Sequence, residues 1–96
     1  MRKYEIMFIV RPDMEEAEIA KTAEGLKKVL EDGKAKFVEE KNMGQRELAY
    51  EIKDFKSGFY YVITLEANDD VAISEFDRQA RNSQDIIRHL ITKIED

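Results

Sequence analysis

The sequence predicts an α+β sandwich of element order βαββαβ, a four-stranded antiparallel sheet with two helices on one face. Three observations carry this expectation. Four segments show the period-two alternation of half-buried strands, and two others carry apolar residues at the spacing of amphipathic helices. Those six segments follow one another within 96 residues, which leaves room for one core, so residues 1–96 are expected to form a single domain. No repeat, linker or low-complexity stretch interrupts them.

Residues 2–10 put Tyr4, Ile6, Phe8 and Val10 on one face and Lys3, Glu5, Met7 and Ile9 on the other. Both faces turn apolar towards the end, which predicts a central strand. Pro12 breaks it, and Asp13-Met14-Glu15-Glu16 has the form of a capping box with Asp13 as the helix cap. Ile19, Ala20, Ala23, Leu26 and Leu30 make the stripe of the first helix. Gly33 is expected to end it in a left-handed conformation, with Lys27, Lys28 and Lys34 near the negative end of its dipole. A long second strand follows over residues 35–52. Its apolar parity changes between Phe37 and the set Leu48, Tyr50 and Ile52, which predicts a β-bulge within residues 39–44. After a short polar connection the third strand, about residues 59–67, completes a hairpin. Its Phe59, Tyr61, Ile63 and Leu65 point inward, and Tyr60, Val62 and Thr64 outward. Asn68 or Asp69 caps a second helix with the stripe Ile73, Phe76 and Ala80. A turn at residues 82–84 leads to the last strand, residues 85–94. There Ile87, His89 and Ile91 share one face, and Ile86, Arg88, Leu90 and Thr92 the other. Right-handed crossovers close this order into a ferredoxin-like sandwich with strand order 2-3-1-4. The second face of such a sheet is bare unless a partner covers it.

Composition narrows the chemistry. With no cysteine, thiolate metal sites and disulfides are excluded, and a reducing compartment is the natural setting. The single histidine, His89, supports neither a His-clustered metal site nor a triad, and no metal or cofactor is expected. No apolar run approaches a membrane span, so a cytoplasmic protein is expected. A net charge of −5 is unlike a generic nucleic-acid binder, yet Arg78, Arg81, Arg88 and Lys93 gather near one end and Arg2 and Lys3 at the other.

Catalysis finds little support. The pairs Glu15/Glu16 and Asp69/Asp70 sit at helix starts, where negative charge is favourable without any acid–base work. His89 alternates with isoleucines, as a half-buried structural histidine does. Val10-Arg11-Pro12-Asp13 offers an arginine after the first strand but no glycines to form the phosphate cradle of an acylphosphatase-like enzyme. A ligand-sensing regulatory domain of this fold is equally without supporting residues. Lys56-Ser57-Gly58-Phe59-Tyr60-Tyr61-Val62 loosely matches an RNA-recognition motif, but only Tyr60 points to the bare face, too few for a stacking platform. The polar run through Lys41, Arg46 and Glu47 on the second strand guards an edge or meets a complementary partner.

Gly44-x-Arg46-x-Leu48-Ala49-Tyr50-x-Ile52, followed by Gly58-x-Tyr60, is the most specific pattern in the chain. With the opening Met1-Arg2-Lys3-Tyr4-Glu5, the Arg11-Pro12-Asp13 break and the closing Ile86-Ile87-Arg88-His89-Leu90-Ile91-x-Lys93, it resembles the bacterial small-subunit ribosomal protein S6 family over essentially the whole length. The chain departs from that family's pattern in having Met43 where many relatives have tryptophan, and Glu51 where they have proline. The resemblance implies a non-enzymatic, ribosome-associated protein that binds the central domain of the small-subunit (16S) rRNA, at the platform, together with ribosomal protein S18. On that reading Arg2, Lys3, Arg88 and Lys93 are expected to meet rRNA along one basic edge. Lys41, Met43, Arg46, Glu47 and Tyr50 are expected to face the protein partner, with Tyr50 also contributing to the core.

Overall fold

The structure, a computed structural model, describes residues 2–94. Its elements are β1 (Arg2–Val10), α1 (Glu16–Asp32), β2 (Lys36–Ile52), β3 (Phe55–Ala67), α2 (Val71–Asn82) and β4 (Ile86–Ile94). The strands form one antiparallel sheet in the order β2-β3-β1-β4, the expected ferredoxin-like arrangement. β1 is central because it is apolar enough to be covered. Tyr4, Ile6, Phe8 and Val10 meet Tyr61, Ile63 and Leu65 of β3 under Ile19, Ala23, Leu26 and Leu30 of α1 and Ala72, Ile73, Phe76 and Ala80 of α2. Phe8 sits in the middle, its ring stacked on Tyr61 at 5.2 Å between centroids and tilted against Phe76 at 5.9 Å. Ala20 is exposed rather than part of the stripe, since it lies one residue, about 100°, beyond Ile19.

The helix ends differ from expectation. Glu15, with no side-chain capping bond, occupies the cap position of α1. Asp13 instead receives Nε and Nη2 of Arg11 at 2.6 and 2.7 Å, a bidentate ion pair that outcompetes capping. Gly33 has φ −81° and ψ 7°, so it is not left-handed; Lys34 takes the positive φ of 66°. Glycine is needed at 33 because a Cβ there would collide with Ala72, at the point where the end of α1 meets the start of α2. The last turn of α1 holds no basic residue, and Lys27 reaches sideways to Glu24 and Glu40 at 3.2 and 3.1 Å. Asp70, not Asn68 or Asp69, holds the cap position of α2, with no side-chain capping bond, while the Asp69 carboxylate accepts from the Val71 amide at 3.1 Å.

Register explains the parity puzzles. In β2 the ladder slips at Met43, inside the predicted window, and again at Val38, just outside it. Gly44 follows the slip with φ 73°, and Asn42 Oδ1 accepts from its amide at 3.0 Å. Lys53 and Asp54, with φ of 50° and 68°, form the two-residue turn that starts β3 at Phe55, four residues earlier than its apolar run suggests. A slip opposite Ile9 and Val10 makes Ile87 the extra residue of β4. Ile86, not Ile87, therefore joins the helix-side core, while Ile87 stands beside Ile9 near Gly58.

Candidate nucleic-acid and partner interface

The pairings define the bare face row by row. Arg88, Ile9, Tyr60 and Gly44 form one row across the four strands, and Leu90, Met7, Val62 and Lys41 the next. Thr92, Glu5, Thr64 and Glu39 follow, then Ile94, Lys3, Glu66 and Lys36. Arg46, opposite Gly58, extends the face at the Arg88 end. Lys3, Lys36, Lys41, Arg46 and Arg88 thus outnumber Glu5, Glu39 and Glu66 on a face of a chain whose total charge is −5. The fold separates charge that the sum conceals.

The four residues expected along one basic edge do not form a single patch. Lys3 and Arg88 share the bare face, but Arg88 pairs with Ile9, six residues from Lys3 along β1, about 20 Å at the usual rise. Arg2 and Lys93 oppose Ala67 and Tyr4 and so lie on the helix side. The alternation of Lys3 with Arg2, one residue apart, makes this split unavoidable.

The partner set is more coherent. Lys41 and Arg46 lie on the bare side of the edge strand β2, Met43 protrudes at its bulge, and Glu47 opposes Ser57. Tyr50 is 63% exposed, which corrects the expectation that it shares the core with Leu48 and Ile52; both of those are half-buried. The cause is a third slip in the ladder, after Glu47, that turns the end of the hairpin out of the regular alternation. Tyr50 then reaches across the sheet, and its hydroxyl accepts from Arg88 Nη1 at 3.1 Å. Arg11 holds the same hairpin end from the other side, over the ring of Phe55 at 5.2 Å.

Arginine partners divide by location. Among the described residues, the three arginines outside the strands each hold a carboxylate: Arg11 with Asp13, Arg78 with Glu75 and Arg81 with Asp77. Those carboxyls are held below their ordinary range, by the Arg11 hydrogen bond at Asp13 and the Arg78 hydrogen bond at Glu75. At Asp77 the hydrogen bond with His89 is the main cause. Among the described residues, the three strand arginines, Arg2, Arg46 and Arg88, have no carboxylate partner. Arg46 and Arg88 are oriented by uncharged acceptors instead, the Met43 carbonyl at 3.3 Å and the Tyr50 hydroxyl. Sequence spacing could not reveal this, because both contacts depend on the slips in β2.

His89 completes the inventory of reactive side chains. Its Nε2 lies 2.8 Å from Asp77 Oδ1, and its ring meets the edge of Phe76 at 6.1 Å, which braces α2 against β4. No group of His, Cys, Asp and Glu that could hold a metal occurs among the described residues. No helix among them is long and apolar enough to cross a membrane. Tyr60 is the only aromatic side chain in the paired rows of the bare face.

The family model for ribosomal protein S6 matches residues 3–93. The chain belongs to the ribosomal protein S6 family. It is accordingly a structural protein of the small ribosomal subunit and not an enzyme. A solved relative, the 30S ribosomal protein S6 of Thermotoga maritima, is 35% identical and superposes with a TM-score of 0.91, the match covering 97% of this chain and 87% of that one. The pattern Arg46-x-Leu48-Ala49-Tyr50 that carried the resemblance contains both an arginine of the bare face and the tyrosine that touches Arg88.

Proposed function

We propose that the chain binds 16S rRNA in the central domain, at the platform, together with ribosomal protein S18, and is thereby cytoplasmic and ribosome-associated. The observation that carries this reading is the division among the arginines. A guanidinium already bound to a carboxylate has little left for a phosphate, whereas Arg46 and Arg88, which have no carboxylate partner among the described residues, keep their full charge. Arg2, Lys3, Arg88 and Lys93 supply phosphate contacts from the neighbouring strands β1 and β4, Lys3 and Arg88 on the bare face and Arg2 and Lys93 on the helix side. Lys41, Met43, Arg46, Glu47 and Tyr50 meet the protein partner along β2, where the free strand edge also offers backbone groups. A basic partner offsets the chain's overall −5, so that an acidic protein can settle on RNA.

The test is Arg88→Ala in a binding titration of the chain with S18 and a central-domain 16S fragment over a range of salt. The variant is expected to fold normally, bind more weakly and lose about 0.9 from the salt slope. An unchanged affinity at every salt concentration would remove Arg88 from the RNA surface. Tight RNA binding by this chain without S18 would instead favour an independent RNA-recognition module.

A further inference from the structure

We infer that the Tyr50 hydroxyl is a positioning group for Arg88, and that through it the protein partner's hold on the β2–β3 hairpin strengthens the grip of Arg88 on an RNA phosphate. This rests on the proposed rRNA and S18 binding and adds the physical link between the two surfaces. Two strands, β3 and β1, separate β2 from β4. Among the described side chains, the Arg88 to Tyr50 bond is the hydrogen bond that joins those two edges. It therefore connects a residue of the partner surface to a residue of the RNA surface directly.

The chemistry of the contact suits positioning. A phenol oxygen is an uncharged acceptor, so it orients the guanidinium without cancelling its charge. Only Nη1 is engaged, which leaves the edge formed by Nε and Nη2 for a bidentate phosphate. Arg11 shows the opposite design, with Nε and Nη2 both taken by Asp13. Restraining Arg88 beforehand reduces the rotamer freedom lost when RNA binds. Tyr50 is itself lightly held: it is 63% exposed, beyond the regular ladder, beside a cleft lined by Glu47, Leu48 and Glu51. A protein packed on that ring fixes the hydroxyl, and the fixed hydroxyl fixes Arg88. The coupling runs equally in reverse, so RNA at Arg88 tightens the partner on the hairpin.

Tyr50→Phe removes the hydroxyl and keeps the ring. Its thermal midpoint should be unchanged, and its binary affinity for S18, where the ring contact is kept, should fall by less than its RNA affinity. RNA affinity of the complex with S18 should fall about fivefold to tenfold, the scale of one hydrogen bond to a charged group. In an Arg88→Ala background the same substitution should have no further effect. Undiminished RNA affinity for Tyr50→Phe would overturn the inference, as would a loss that persists in full without Arg88. So would an equal loss of S18 affinity, which would make Tyr50 a partner contact alone. Failure of the wild-type chain and S18 to bind the RNA at all would overturn the proposed function as well, and so separates the two.

Discussion

Tyr4, Ile6, Phe8 and Val10 of β1 lie under two helices, whereas Lys3, Glu5 and Met7 of the same strand have no layer above them. The contrast extends to charge. Around the helices Arg11, Arg78 and Arg81 are neutralised by carboxylates, while on the bare face Arg46 and Arg88 are steered by neutral oxygens. One sheet thus separates what holds the fold from what is left available to bind. The separation costs the bare face some stability, since Leu90 remains 49% exposed there.

Truncation on each side gives the largest measurable difference. Phe76 is fully buried between Phe8 and His89, and Phe76→Ala should destabilise the fold by about 3–5 kcal/mol through the cavity it leaves. Leu90→Ala on the other side should cost under about 1 kcal/mol in the same urea titration. Comparable losses from the two would mean that the bare face is as much a stabilising layer as the helices, and the contrast would collapse.

The helix side was legible in the sequence because burial writes a period. Ile19, Ala23, Leu26 and Leu30 recur at helical spacing, and the odd residues of β3 alternate without interruption. The bare face was not legible to the same depth. Two slips in β2 and one in β4 insert a single residue and the third in β2 inserts three, and an odd shift moves a side chain to the other face. The slips at Val38 and Met43 cancel in parity, so the change between Phe37 and the set Leu48, Tyr50 and Ile52 traces to the slip after Glu47, which the pattern does not locate. Tyr50 read as core for the same reason, since nothing local marks the slip after Glu47. The contact between Tyr50 and Arg88, 38 residues apart, depends on all of these and on the strand order together.

An intermediate effect is expected where the bulge shapes the binding edge. Gly44 has φ 73° and open space around its Cα, so Gly44→Ala meets no obstacle except backbone strain, worth about 1 kcal/mol. The same backbone presents the Met43 carbonyl to Arg46 Nε at 3.3 Å. Thermal unfolding should show the modest loss, and S18 binding should weaken in parallel as Arg46 loses its orienting acceptor. A normal S18 affinity in a folded Gly44→Ala protein would show that the bulge serves edge geometry alone.

The smallest effect tests the neutralised side through pH. Asp77 is held below its ordinary range chiefly by the hydrogen bond with His89, with Arg81 adding to it. A carboxyl whose folded value is lowered contributes stability above its unfolded value, near about pH 4, and loses it as pH falls through the folded value. Asp77→Asn should therefore lower the thermal midpoint most at neutral pH, and the gap to wild type should close in acid once the wild-type carboxyl is itself protonated. The Asp77 side chain is only partly covered, 39% exposed, so solvent screening keeps the shift small. A gap that widens on acidification would mean that the neutral brace between α2 and β4 outweighs the charged one, and that the ion pairs around the helices do not stabilise this side of the sheet as the contrast requires.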